Sequence, residues 1–146
     1  MGDRKALTTD QVAGYLQQMR IPLRLACATE SGWPMVLSLW YVPIDGRLYC
    51  ATQRSAKVVR YLHRDPRCAF EVAADEPPYR GVRGQGKAIL NEGRGAEILE
   101  ILLVRYLGGT ESSLAQRLLA RSENEVAIEI EPRTLFTWDY SARMRD

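Results

Sequence analysis

Between Thr52 and Lys57 the chain reads TQRSAK, placing two hydroxyls, a guanidinium and an ammonium within six residues. Thr52 closes the apolar run RLYCAT, and Ser55 precedes the amphipathic run AKVVRYLHR, so the segment joins a strand to a helix. The first N–H groups of a helix have no partner inside it, and its dipole favours an anion at that end. Lys57 falls in the first turn, where a cation costs a few tenths to about 1 kcal/mol unless a bound anion reverses the balance. Thr52 and Ser55 as hydroxyl donors, Arg54 as a planar fork and Lys57 as a point charge form a candidate phosphate socket.

Rival readings use the same residues. Arg54, Lys57, Arg60 and Arg64 also fit the solvated face of an amphipathic helix, and Arg60, Arg64 and Arg67 are assigned to that face. The stretch GVRGQGKA matches part of a nucleotide-binding loop, but Ala88 stands where magnesium needs Ser or Thr, and the run reads as strand. His63, the only histidine, reads as a surface or cap residue rather than a haem ligand. Cys27, Cys50 and Cys68 lie far apart without a C-x-x-C pair and read as small buried hydrophobes in a reducing cytoplasm. No metal site is expected, and no acid–base pair names a catalytic residue.

These residues require a framework to position them. TTDQ opens a helix in which Thr8 and Gln11 close a capping box, and Val12, Tyr15, Leu16 and Met19 form its stripe before Pro22. From Leu23 the period becomes two, giving one strand up to the turn ESGWP and a second over Met35–Val42 that is apolar on both faces. PIDG is a turn and RLYCAT the third strand, followed by the helix from Ala56 to about Arg64 that Ser55 would cap. Further strands are expected over Cys68–Ala73 and, through Gly81, Gly84 and Gly86, over Tyr79–Leu90, where the glycines mark bends or close backbone approach. A helix follows through Ile98, Leu102 and Tyr106 to Gly108, then a shorter one over Ser112–Arg121. Two last strands, Val126–Glu131 and Thr134–Tyr140, are separated by Pro132.

The 146 residues, 46% apolar and 26% charged, suit one domain spanning residues 1–146 with a single core. A net charge of +2, with Glu123, Glu125, Glu129 and Glu131 offsetting the basic cluster, gives no support for nucleic acid as a partner. No apolar run reaches the roughly eighteen residues of a membrane span, and none resembles a leader, so a soluble cytoplasmic protein is expected. About seven strands with helices between them suggest a closed or partly closed antiparallel barrel with peripheral helices.

The ordered set ATESGWP, a WY strand, DG, a strand ending in Thr52, Ser55 with Lys57, DPR, and YRGVRGQGKAIL resembles the pyridoxamine 5′-phosphate oxidase-like family of flavin-binding split barrels. The similarity runs from Ile21 to Leu90, and the tail VAIEIEPRTLFTWDY is similar to the family's last strands. The resemblance implies a mainly β fold, a six-stranded antiparallel Greek-key split barrel with flanking helices. It also implies a homodimer holding FMN at the subunit interface. Carried onto this chain, Thr52, Ser55 and Lys57 would grip the phosphate with Arg54 as helper, and Leu37, Ser38, Leu39 and Trp40 would run along the ring. Gln85 and Trp138 of a second subunit would close the site. Core or interface packing is the alternative for Trp40 and Trp138.

Departures narrow the activity. Where the family's oxidases carry phosphate-binding arginines, this chain has Met35 or Val36 and Ala56, and its tail reads Arg143, Met144, Arg145 in place of an Arg-Leu-His pattern. Vitamin B6 oxidation is therefore not expected. The implied function is an FMN-dependent oxidoreductase acting on an unidentified small molecule. The alternatives are a deazaflavin-dependent reductase and a flavin- or haem-binding protein without turnover.

Overall fold

A computed structural model describes residues 8–144. The first helix, α1 (Thr9–Gln18), begins with the expected box: Thr8 Oγ1 accepts from the Gln11 N–H, and Gln11 Oε1 accepts from the Thr8 N–H. Strands β1 (Leu23–Ala28), β2 (Pro34–Leu39), β3 (Val42–Ile44) and β4 (Arg47–Gln53) lead to α2 (Lys57–Arg64). Next come β5 (Arg67–Ala73), β6 (Arg80–Asn91), α3 (Gly95–Leu107), α4 (Ser113–Leu119) and β7 (Glu125–Asp139). Asp45 and Gly46 form a two-residue hairpin turn between β3 and β4 with φ of 50° and 78°. Two positive φ values are what a type I′ turn requires, and Asp-Gly supplies them.

All seven strands pair antiparallel in one sheet, in the order β2-β1-β5-β6-β7-β4-β3. The edge strands β2 and β3 are joined by Trp40 and Tyr41 alone. Three Cα–Cα steps span at most about 11 Å. A flat seven-stranded sheet would hold its edges about 29 Å apart. The sheet must therefore curl into a barrel split between β2 and β3.

This junction corrects the expected second strand. Met35–Val42 is not one strand buried on two sides, because it bends at Trp40–Tyr41. Its first part pairs with β1 and its end with β4. Counted as one bent strand, β2 and β3 give the six-stranded barrel. Alternate residues of β2 stay exposed, Val36 at 68%. Burial on both faces belongs to β4 instead, where Leu48 and Cys50 face the barrel core and Tyr49 faces α3.

The last two expected strands are one strand, β7, interrupted by a bulge. Gln85 faces Thr134 and Gly86 faces Pro132, so Arg133 is the extra residue. Gly84 and Gly86 admit the close approach there, since a Cβ would lie 2.2 Å from the Thr134 carbonyl oxygen and 2.3 Å from that of Glu131. Such contact is possible only without a side chain.

The barrel is filled by Leu23, Leu25, Phe70, Val72, Val82, Ile128 and Ile130, with Tyr15 and Leu16 of α1 and Val58 and Leu62 of α2 packed into the same core. α3 and α4 form an outer layer, with Ile98 and Leu102 against Val42, Tyr49 and Ala127, and Leu103 against Ala115. All three cysteines are free and buried, and burial pushes the Cys68 thiol up to about 11. No described helix is long and apolar enough to cross a membrane.

Candidate functional site

At the end of β4 the chain turns sharply into α2. The Ala56 N–H donates to the Gln53 carbonyl at 2.9 Å, and the Arg54 N–H donates to the Asn124 carbonyl at 2.7 Å. The helix starts one residue later than the sequence suggests. Ala56, not Ser55, is its N-cap, in an extended conformation and without a side-chain cap bond. The physical consequence is an open helix end. No acidic residue stands in the first turn, and Lys57 occupies the first helical position, exposed. A helix end with neither cap nor acid, and a cation in its place, fits an anionic group better than it fits water.

The other cations of the basic cluster are committed. Arg60 pairs with Glu30 at 2.9 Å, Arg64 donates to the Thr29 carbonyl at 2.8 Å, and Arg67 holds Asp65 at 2.9 Å. The hydrogen bonds from Arg67 hold the Asp65 carboxyl down at about 2. Arg54, expected as the phosphate helper, pairs with Glu92 at 3.2 Å and donates to the Glu123 carbonyl at 3.4 Å. Lys57 makes no ion pair among the described residues. His63 is exposed in the last turn of α2.

Beneath this turn lies a pair that sequence reasoning missed. Glu125 is 4% exposed, stands opposite Gln53 in the β4–β7 register, and accepts from Gln53 Nε2 at 2.8 Å. Its second carboxylate oxygen is buried without a partner, and burial raises its pKa, with the Gln53 hydrogen bond acting against that rise. No local signal joins two residues so far apart in the chain, so Glu125 counted in the sequence only as one of four balancing glutamates.

The second expected component is the strand along the ring. β2 is an edge strand with β1 as its one neighbour, so half of its backbone donors and acceptors face outward. Ser38, Leu39 and Trp40 line a cleft of about 290 Å³ with Ala51 of β4 and Leu99, Leu102 and Leu118 of α3 and α4. Barrel curl thus carries the β2 edge to within reach of β4, one residue before Thr52. Leu37 is half-buried against the core. The Trp40 ring is occupied: it stacks on Tyr106 with centroids 5.0 Å apart and planes 6° from parallel.

Gln85 and Trp138 are not brought to the turn within one chain. Gln85 is exposed on the outer sheet face, its N–H donating to Thr134 Oγ1 at 3.3 Å. The clefts it lines contain none of Thr52, Arg54, Ser55 and Lys57. Trp138 packs over Gly81, where a Cβ would come within 2.6 Å of the indole, and Arg83 lies 5.4 Å from its ring.

The strand order, the split between β2 and β3 and the bulged β7 define a split β-barrel with flanking helices, a fold shared with solved structures. Among solved structures the chain is similar to the conserved hypothetical protein Rv2991 from Mycobacterium tuberculosis, with a TM-score of 0.81 and 23% identity over 96% of this chain and 90% of that one. It is also similar to an F420 reductase, with a TM-score of 0.71 and 20% identity over 84% and 94% of the two chains. A FAD-binding protein from Mesorhizobium loti matches with a TM-score of 0.68 and 19% identity over 93% and 97%. No family model and no curated protein matches the sequence.

Proposed function

We propose that the chain binds a phosphorylated flavin-type cofactor, FMN in the first reading, and acts as an oxidoreductase on an unidentified small molecule. The observation that carries this is the uncapped, acid-free N-terminus of α2 with Lys57 at its first position, joined through β4 to the open edge of β2. The bound ring would supply two-electron redox chemistry. Lys57, Ser55 and Thr52 would hold the phosphate, and the backbone of Leu37–Trp40 would orient the ring edge. Leu99, Leu102 and Leu118 would keep water from one side of that cleft. Arg54, drawn off by Glu92, would contribute only through the local field.

The site would be completed by a second copy of the chain. Gln85 and Trp138 stand on a face remote from the turn, so a homodimer is the arrangement that brings them to the cofactor. The likeness to an F420 reductase supports a second reading, a deazaflavin cofactor in the same socket.

An absorption spectrum of the purified protein, followed by fluorescence titration with FMN and with a deazaflavin, tests both. Yellow protein that releases flavin on denaturation supports the first reading, and quenching on added deazaflavin alone supports the second. Protein that binds neither refutes both. Light scattering with and without cofactor tests the dimer, and a cofactor-bound monomer would refute it.

A further inference from the structure

Two cysteines that lie far apart in the chain meet across a strand pair. Cys27, near the end of β1, stands directly opposite Cys68, near the start of β5, in the antiparallel register that also sets Leu25 against Phe70. Both side chains point into the barrel. Leu25 and Phe70 share their face of the sheet, two positions away, and all four residues belong to the same buried core. Opposite residues on antiparallel strands hold their Cα atoms about 4.5–5.5 Å apart. A disulfide accepts about 4.4–6.8 Å between Cα atoms, so the backbone already has the spacing that the bond needs.

The third thiol is placed differently. Cys50 lies on β4, whose ladder partners are β3 and β7, so no register sets it beside either of the others. It is buried in the same core, and its thiol is raised by burial first and by Cys68 second. Cys68 thus has two thiol neighbours, one across the ladder and one across the barrel interior. Its Sγ–H donates to the Gly86 carbonyl at 3.6 Å. Burial raises the Cys27 thiol and pushes Cys68 up to about 11, so little thiolate is present at neutral pH and the pair answers to sustained oxidation, not to a brief pulse.

From the register, the shared face and the two free thiols, we infer that Cys27 and Cys68 are a redox-active pair that a hydroperoxide joins by a disulfide across β1 and β5. One thiol gives up its proton and attacks a peroxide oxygen; the O–O bond breaks, and a sulfenic acid and one water form. The second thiol, deprotonated in turn, attacks the sulfenic sulfur; the S–S bond forms, and the departing hydroxide takes up the proton as a second water. The thiols lose two electrons and two protons, and hydrogen peroxide gains both. The loop so closed carries β2, β3, β4 and α2, so the bond restricts the unfolded chain and braces the barrel. No cofactor takes part, so the inference stands apart from the flavin reading.

Mass spectrometry tests this on folded protein treated with hydrogen peroxide, then unfolded in urea with N-ethylmaleimide and digested. A peptide pair linked through Cys27 and Cys68 is expected, with Cys50 alkylated as a free thiol. Dithiothreitol should restore all three thiols. The link should survive Cys50→Ala and be lost in Cys27→Ala and in Cys68→Ala, and the wild-type peptide map decides the point even where a variant fails to fold. Oxidation should raise the melting temperature by about 5–10 °C, and dithiothreitol should reverse the rise. Three free thiols after prolonged treatment, a Cys50–Cys68 link, sulfinic acid without a link, a link that forms only in urea, or a lower melting temperature on oxidation would overturn the inference. Protein that binds no flavin would leave it standing.

Discussion

Arg54 Nε lies 3.2 Å from Glu92 Oε1, so the guanidinium next to the candidate phosphate socket is held by the turn that precedes α3. Arg54 and Lys57 are therefore not equivalent, although the sequence places them three residues apart. Lys57→Ala removes a charge-assisted contact worth about 1.5–3 kcal/mol, an expected loss of about 10- to 150-fold in cofactor affinity. Arg54→Ala is expected to change affinity by less than about threefold, as removing an exposed ion pair does. Fluorescence titration of both variants measures the contrast, and equal losses would contradict the unequal roles.

The pair Glu125–Gln53 predicts a pH dependence. The folded-state pKa of Glu125 lies above its unfolded value because burial disfavours the carboxylate. The proton is thus held more tightly in the folded chain, and the associated stability is complete below the unfolded pKa and lost as pH rises through the folded one. Glu125→Gln removes this titration. The melting temperature of the variant relative to wild type should be higher at pH 7.5 than at pH 4, and a difference independent of pH would refute the burial argument.

Two glycines offer opposite outcomes from the same substitution. A Cβ on Gly84 would meet the Thr134 carbonyl oxygen at 2.2 Å, whereas Gly14 in α1 has nothing within 4 Å. Gly84→Ala should destabilise by about 1–3 kcal/mol through overpacking. Gly14→Ala should stabilise by about 0.5–1 kcal/mol, since a helix interior favours alanine. Urea denaturation of the two variants reads both signs directly.

The C-terminal end of α1 is held from across the barrel. Arg105 donates to the carbonyls of Leu16, Gln17 and Met19 at 2.8–2.9 Å, and the Tyr41 hydroxyl donates to Leu16 and Met19 at 2.7 and 2.8 Å. Arg105→Ala should cost about 2–3 kcal/mol, since it removes charged donors from partly buried carbonyls. Tyr41→Phe should cost about 1 kcal/mol, because Arg105 still serves the same two carbonyls. Denaturant midpoints give the order, and a larger loss for Tyr41→Phe would show that the ring hydroxyl, not the guanidinium, holds the helix.

What the sequence determined by itself was local. The Thr8–Gln11 box, the Asp45-Gly46 hairpin, the glycine at the end of α3 and the glycine-rich strand each rest on backbone preferences contained within a few residues. The phosphate socket rests on residue types at a strand-to-helix junction, and the family resemblance added the expectation of a Greek-key split barrel. Only the tertiary structure decided the rest, because burial and register depend on partners distant in the chain. It split Met35–Val42 at the barrel seam, merged the last two strands through a bulge, turned Arg54 toward Glu92, and buried Glu125 beside Gln53. A charge in a sequence has no partner until the fold supplies one. For that reason the basic run from Arg54 to Arg67 looked like one patch in the sequence, and folding left Lys57, alone among its Lys and Arg residues, with neither an ion pair nor a side-chain hydrogen bond to the described residues.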